Sequence, residues 1–183
     1  MRDWDDHYRS LEAEEMAPAD LLARAVETVP AGRALDLACG LGRHALFLAR
    51  LGWNVTAVDA SRVAIERLRE RAAGHAVDAR VADLEKGEFA IGAGAWDLIC
   101  DFFYLQRSLF ADIRAGVRPG GLFVATMHLL DDAPDARPRN PDFVLREGEL
   151  EAAFAGWTLL HYHEGARSDR RRRVAELIAR RDT

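Results

Sequence analysis

The chain has 183 residues, 49% of them apolar and 30% charged, with a formal net charge of −5. That length suits one domain spanning 1–183 with a sizeable core, and the composition excludes a disordered chain. The acidic balance disfavours broad nucleic-acid affinity, and no apolar run approaches the length that spans a bilayer. The polar start, Met1-Arg2-Asp3-Trp4-Asp5-Asp6, is unlike a signal peptide. Cys39 and Cys100 read as reduced thiols filling small apolar spaces in a cytoplasmic protein, and no Cys/His spacing suits zinc. The expectation is a monomer or homodimer with no nucleic-acid partner, no membrane and no metal.

Residues 1–30 read as N-terminal helices ahead of a core over 31–183. Trp4, Tyr8 and Leu11 fall at helical spacing. Pro18 opens a second helix, where its missing N–H costs nothing, with Leu21, Leu22, Ala25 and Val26 as the buried stripe. Pro30-Ala31-Gly32 ends it. A strand with Ala34 and Leu35 follows and delivers Asp36, Gly40 and Gly42 ahead of the helical run Ala45-Leu46-Phe47-Leu48-Ala49. Strand, glycine loop and helix let a backbone approach a nucleotide-like ligand, because glycine has no Cβ to block it.

Two ligand classes compete for this loop. Gly40-x-Gly42-x-x-Ala45 satisfies the dinucleotide pattern of an NAD(P)-binding oxidoreductase. Asp36 argues for the other class. A carboxylate at the strand tip repels phosphate and suits a cationic ligand such as S-adenosylmethionine (SAM), which carries an ammonium and a sulfonium. A ligand-free turn would not require Asp36.

The run Asp36-Leu37-Ala38-Cys39-Gly40-Leu41-Gly42-Arg43 resembles the first motif of class I SAM-dependent methyltransferases, with Ala38 where that family places its first glycine. The resemblance implies a Rossmann-like α/β fold: a doubly wound, seven-stranded, mostly parallel sheet with an antiparallel last strand. It implies that Asp36, Ala38, Gly40 and Gly42 hold SAM. It also implies that an aromatic residue of the leader helix closes over the methionine end; ordinary packing of Trp4 and Tyr8 is the alternative.

A helix from Arg43 stops near Gly52, and Trp53 to Val58 alternates as strand two, ending in Asp59 and Ala60. A carboxylate at that tip accepts hydrogen bonds from ribose hydroxyls, in NAD and SAM enzymes alike. Capping the next helix beside Ser61 is its structural alternative. A helix over 61–73 leads to strand three through Val77, Ala79 and Val81. Asp83 and Leu84 follow, where the family resemblance implies a contact with the adenine amino group. Residues 85–95 read as loop. Trp96 to Asp101 is strand four, and Asp101 and Phe102 are candidates for the wall of the cofactor and methyl-transfer site.

A helix is expected over 106–117, then the turn Arg118-Pro119-Gly120-Gly121, then a buried strand from Leu122 to His128. This turn-and-strand combination is characteristic of the methyltransferase family. Residues 129–140 read as a loop on the ligand side. The phrase from Asn140 to Leu150, with the Gly-Leu-Gly-Arg-His loop, resembles the small tellurite-resistance-like branch. Trp157 to His163 reads as strand six. Residues 172–180 fit either a helix or a strand, and the resemblance implies the antiparallel seventh strand.

The function so implied is methyl transfer from SAM to a small-molecule acceptor, with sulfur, selenium and tellurium nucleophiles considered. His128 is the candidate proton acceptor, and Tyr104 and Arg107 are candidates for orienting the acceptor. A non-catalytic SAM-binding module is the third reading, since methyl transfer needs no universal catalytic residue. The arginines at 167 and 170–173 read as a solvated loop or as an attractor of anions.

Overall fold

The computed structural model describes residues 4–11, 17–27, 29–130, 140–166 and 172–182. A seven-stranded sheet carries the fold, in the order β3-β2-β1-β4-β5-β7-β6. The strands are β1 (Arg33–Leu37), β2 (Asn54–Asp59), β3 (Val77–Val81), β4 (Trp96–Phe102), β5 (Val117–His128), β6 (Thr158–Ala166) and β7 (Arg173–Arg180). β1 to β5 are parallel, and β7 runs antiparallel to both β5 and β6. The helices are α1 (Trp4–Arg9), α2 (Asp20–Val26), α3 (Arg43–Arg50), α4 (Arg62–Arg71), α5 (Leu109–Gly116) and α6 (Glu149–Ala153).

The central strands are near-continuous apolar runs because helices cover both faces. One core packs α2, α3 and α4 onto the sheet through Leu22, Leu48, Ile65 and Leu68. The other packs α5 and α6 through Ile113, Leu150 and Phe154, with Phe154 stacked on Phe123 at 4.5 Å. Strand order reverses between β1 and β4, and there a ligand crevice opens beyond the carboxyl ends of the strands.

Several elements differ from expectation at their ends: α2 starts at Asp20 rather than Pro18, β6 runs on to Ala166 rather than stopping at His163, and β5 and α5 differ at their starts. β5 begins at Val117 rather than Leu122, because the Arg118-Pro119-Gly120-Gly121 kink keeps pairing with β4 through a register shift. A Cβ on Gly121 would lie 2.8 Å from the Asp97 carbonyl oxygen, so the kink needs glycine there. Asp97 also accepts the Arg33 N–H at 2.7 Å and pairs with Arg118, tying the starts of β1 and β5 together. α5 starts at Leu109 rather than at Gln106. The Gln106 side chain is engaged instead with Tyr104, Ser108 and the Leu84 carbonyl. Met16, the 131–139 part of the expected ligand-side loop, and Arg167, Arg170 and Arg171 lie outside the described residues. Among the described residues, no helix is long and apolar enough to cross a membrane.

Candidate functional site

The glycine loop is built by unusual backbone angles. Ala38, Gly40 and Gly42 all have positive φ, at 49°, 55° and 76°. Only glycine visits that region freely, so Ala38 carries strain of about 1–2 kcal/mol where the family pattern has glycine. A Cβ on Gly42 would meet Leu68 of α4 at 2.3 Å, so this glycine lets the loop close onto α4. A Cβ on Gly40 would meet the Tyr8 hydroxyl at 2.7 Å.

A cleft of about 170 Å³ lies over this loop. Its walls bring together four of the sequence candidates, Asp36, Ala38, Gly40 and Phe102. Tyr8 and Leu11 form its roof, and His44, Arg43 and Arg71 border it. Small-molecule pockets are usually about 300–1,000 Å³, so the aromatic roof fills part of the space. α1 buries none of its side chains. Polar contacts hold it down: Asp5 accepts from the Ser61 hydroxyl at 2.5 Å and the Val63 N–H at 3.2 Å. Arg67 donates to the carbonyls of Tyr8 and Leu11.

Asp36 is 1% exposed. It accepts the Ala45 N–H at 3.1 Å and the Cys100 thiol at 3.4 Å. Burial pushes its pKa up to about 7, partly offset by those hydrogen bonds and by Arg43. Asp59 is nearly buried and also raised by desolvation. Its two oxygens accept from the Gly40 and Ser61 N–H groups, both at 2.8 Å, so it ties the glycine loop to the start of α4. Ala60 follows at the strand tip, and Ser61 caps α4 by accepting from Ala64 N–H. Asp83 is engaged within its own turn, by the Glu85 N–H and by Lys86, which hold its carboxyl below the usual range. Leu84 is buried in the α5-side core.

The remaining candidates do not converge. The Asp101 side chain points to the α5 side, opposite to Asp36; its register partners Leu37 and Ala125 belong to that core. Desolvation pushes its carboxyl well above the usual range. Tyr104 also packs on the α5 side and donates to Gln106 at 2.6 Å. Arg107 is bound by Glu149 and by the Asp142 and Val144 carbonyls, so it anchors residues 142–149 to the start of α5. His128 stands on the cleft side of β5, its ring 4.9 Å from Phe103. Phe103 has φ of 68°, which breaks strand alternation and turns its ring to the same side as Phe102.

His44 was not singled out by sequence reasoning. It follows the glycine loop directly, so its place at the mouth of α3 was the available signal. It is 3% exposed, its ring lies 4.0 Å from Phe102, and its Nε2 has no hydrogen-bond partner. Burial and Arg43 push its pKa down to about 3, so the imidazole is neutral.

A family model described as tellurite resistance protein TehB matches residues 5–172. The chain belongs to the TehB family of class I SAM-dependent methyltransferases. A probable SAM-dependent methyltransferase TehB of Haemophilus influenzae is 30% identical over 141 residues, covering 72% of this chain and 48% of that protein. Hemagglutinin 1 of Eikenella corrodens is 35% identical over 152 residues, covering 78% of this chain and 49% of that protein. The chain thus spans about half the length of these curated relatives. The crystal structure of Haemophilus influenzae TehB superimposes with a TM-score of 0.77 at 23% identity, covering 98% of this chain and 67% of that one. A Burkholderia thailandensis 1,6-didemethyltoxoflavin-N1-methyltransferase, solved with 1,6-didemethyltoxoflavin and S-adenosylhomocysteine, gives 0.71 at 20% identity over 98% of this chain and 84% of that one. Both superpositions show the α/β fold expected from sequence, and in this chain the last strand is antiparallel.

The TehB-family cleft fits SAM on its own chemistry. Gly40, with no Cβ, lines the cleft beneath the Tyr8 hydroxyl, a buried acid lies in the same wall, and arginines border the mouth. That mixture suits a ligand carrying an ammonium, a sulfonium and a carboxylate.

Proposed function

We propose that this protein transfers the methyl group of SAM to a small-molecule nucleophile. The observation that carries the reading is the Asp36 carboxyl, buried on the floor of the glycine-loop cleft. A diphosphate laid on this loop would meet that acid, whereas a cation holds it ionised.

Asp36 would hold the cationic end of SAM, and the backbone of Ala38 and Gly40 would take its close approach. Asp59, Ala60, Asp83 and Leu84 would flank the nucleoside end. Asp59 keeps the loop in shape through Gly40 even before a ligand arrives. Arg43 and Arg71, at the cleft border, are available to a carboxylate. The bound sulfonium supplies an electrophilic methyl carbon. The chain's own task is then to hold a nucleophile in line and exclude water, and positioning supplies much of the acceleration. Phe102, Phe103 and the Tyr8 roof provide apolar walls for that. A soft sulfur, selenium or tellurium acceptor needs little general-base help, since its anion attacks the methyl carbon directly. His128, on the cleft side of β5, is the group available to an acceptor that does. The small-molecule ligand of the Burkholderia neighbour supports an acceptor of that size. We place the reaction in the cytoplasm, consistent with two free, buried cysteines.

Calorimetric titration with SAM and with NAD(H), followed by product analysis over thiols, tellurite, selenite, amines and phenols, tests this reading. Micromolar SAM binding and one methylated product are expected. NAD(H) binding without SAM binding would overturn the cofactor, and SAM binding with no product across the panel would make the protein a binding module.

A further inference from the structure

His44 is a neutral imidazole, almost wholly removed from water, with one ring nitrogen that no protein group satisfies. Such an atom carries a desolvation cost that a ligand donor can relieve. It borders the same cleft as Asp36. The two groups are linked through the backbone, because the next residue, Ala45, donates its N–H to Asp36. Phe102 lies against the ring, tilted by 34° at a centroid distance of 4.0 Å. Asp36 already accepts from Ala45 and Cys100, which uses part of its acceptor capacity. An ammonium brings three N–H donors and needs more than one partner.

We infer that His44, through the Nε2 lone pair, is a positioning residue that shares the α-ammonium of the SAM amino-acid end with Asp36. This rests on the methyltransferase reading above. It assigns a task to a side chain that the glycine motif does not include. The imidazole acts as a hydrogen-bond acceptor and takes up no proton. Its consequence is ligand discrimination: nucleosides lacking the ammonium gain nothing from His44.

The test uses calorimetry on the whole chain with four probes: SAM, S-adenosylhomocysteine, a des-amino analogue of S-adenosylhomocysteine, and 5′-methylthioadenosine, which lacks the amino-acid end. His44→Phe keeps an aromatic ring against Phe102, in a somewhat larger volume, while removing the acceptor. It is expected to weaken SAM and S-adenosylhomocysteine about tenfold and to leave the des-amino analogue and methylthioadenosine within twofold. His44→Gln restores a carbonyl acceptor and is expected to recover most of the loss. Thermal melts of both variants report folding separately. Equal loss for all four probes, or no loss for any, would overturn the inference while the wild-type titration with SAM still upholds the methyltransferase reading. Failure of the wild type to bind SAM would remove both.

Discussion

Asp36 on β1 and Asp101 on β4 are both buried carboxyls, on adjacent strands, with side chains on opposite faces of the sheet. Both are raised by desolvation. Their surroundings separate them. Asp36 opens onto a cleft bordered by a glycine loop and cationic side chains, so an incoming cation can hold it ionised. Asp101 faces the closed α5-side core, takes a backbone hydrogen bond from Tyr104, and keeps one oxygen without a partner. Equal burial therefore yields a ligand-responsive acid on one face and, on the other, an enclosed acid whose carboxyl desolvation pushes well above the usual range.

The largest effect that breaks this symmetry is expected from Asp36→Asn. SAM affinity should fall by about a hundredfold in calorimetry, as for a lost charge-assisted contact in a desolvated site. The same variant should melt several degrees higher than wild type at pH 8 without ligand. The sign follows from linkage: the folded carboxyl binds its proton more tightly than the unfolded one. Its contribution to stability therefore declines as pH rises from about 4 to 7. Asp101→Asn should also raise the unliganded melting temperature but change SAM affinity less than threefold. If the two variants lose affinity alike, the division between the faces is wrong.

A smaller effect concerns the loop beside Asp36. Gly42→Ala should destabilise by roughly 2 kcal/mol, read from denaturant midpoints, because a Cβ there collides with Leu68 and φ is positive. The smallest is Ala38→Gly. It should gain about 1 kcal/mol, a rise of about 2–4 °C in melting temperature, by relieving a left-handed alanine. A loss of stability would show that the methyl group of Ala38 packs usefully.

The Asp36 face was the more legible from sequence. β1, the glycine loop and α3 are contiguous, so their chemistry is written in one short stretch. The same holds for Asp59, whose bond to Gly40 spans a single βαβ unit. Asp101 follows β4 closely, yet which face it joins depends on register with β1 and β5. Arg107 shows the limit more sharply. Its partner Glu149 is 42 positions away, and no local pattern links them. β7 was ambiguous for a different reason. It lies between β5 and β6 with Val174 to Ala179 all buried, and a strand covered on both faces loses the alternation that marks strands. Only the family resemblance placed it.

The pH dependence of SAM affinity in the wild type, measured by calorimetry from pH 5.5 to 8.5 alongside Asp36→Asn, probes the cation-holding acid most directly. With a free carboxyl titrating near 7, affinity should be level above that pH and weaken progressively below it. The variant should stay weak and flat across the range. A wild-type profile that is flat from pH 5.5 to 8.5, with the variant binding as tightly, would contradict the account.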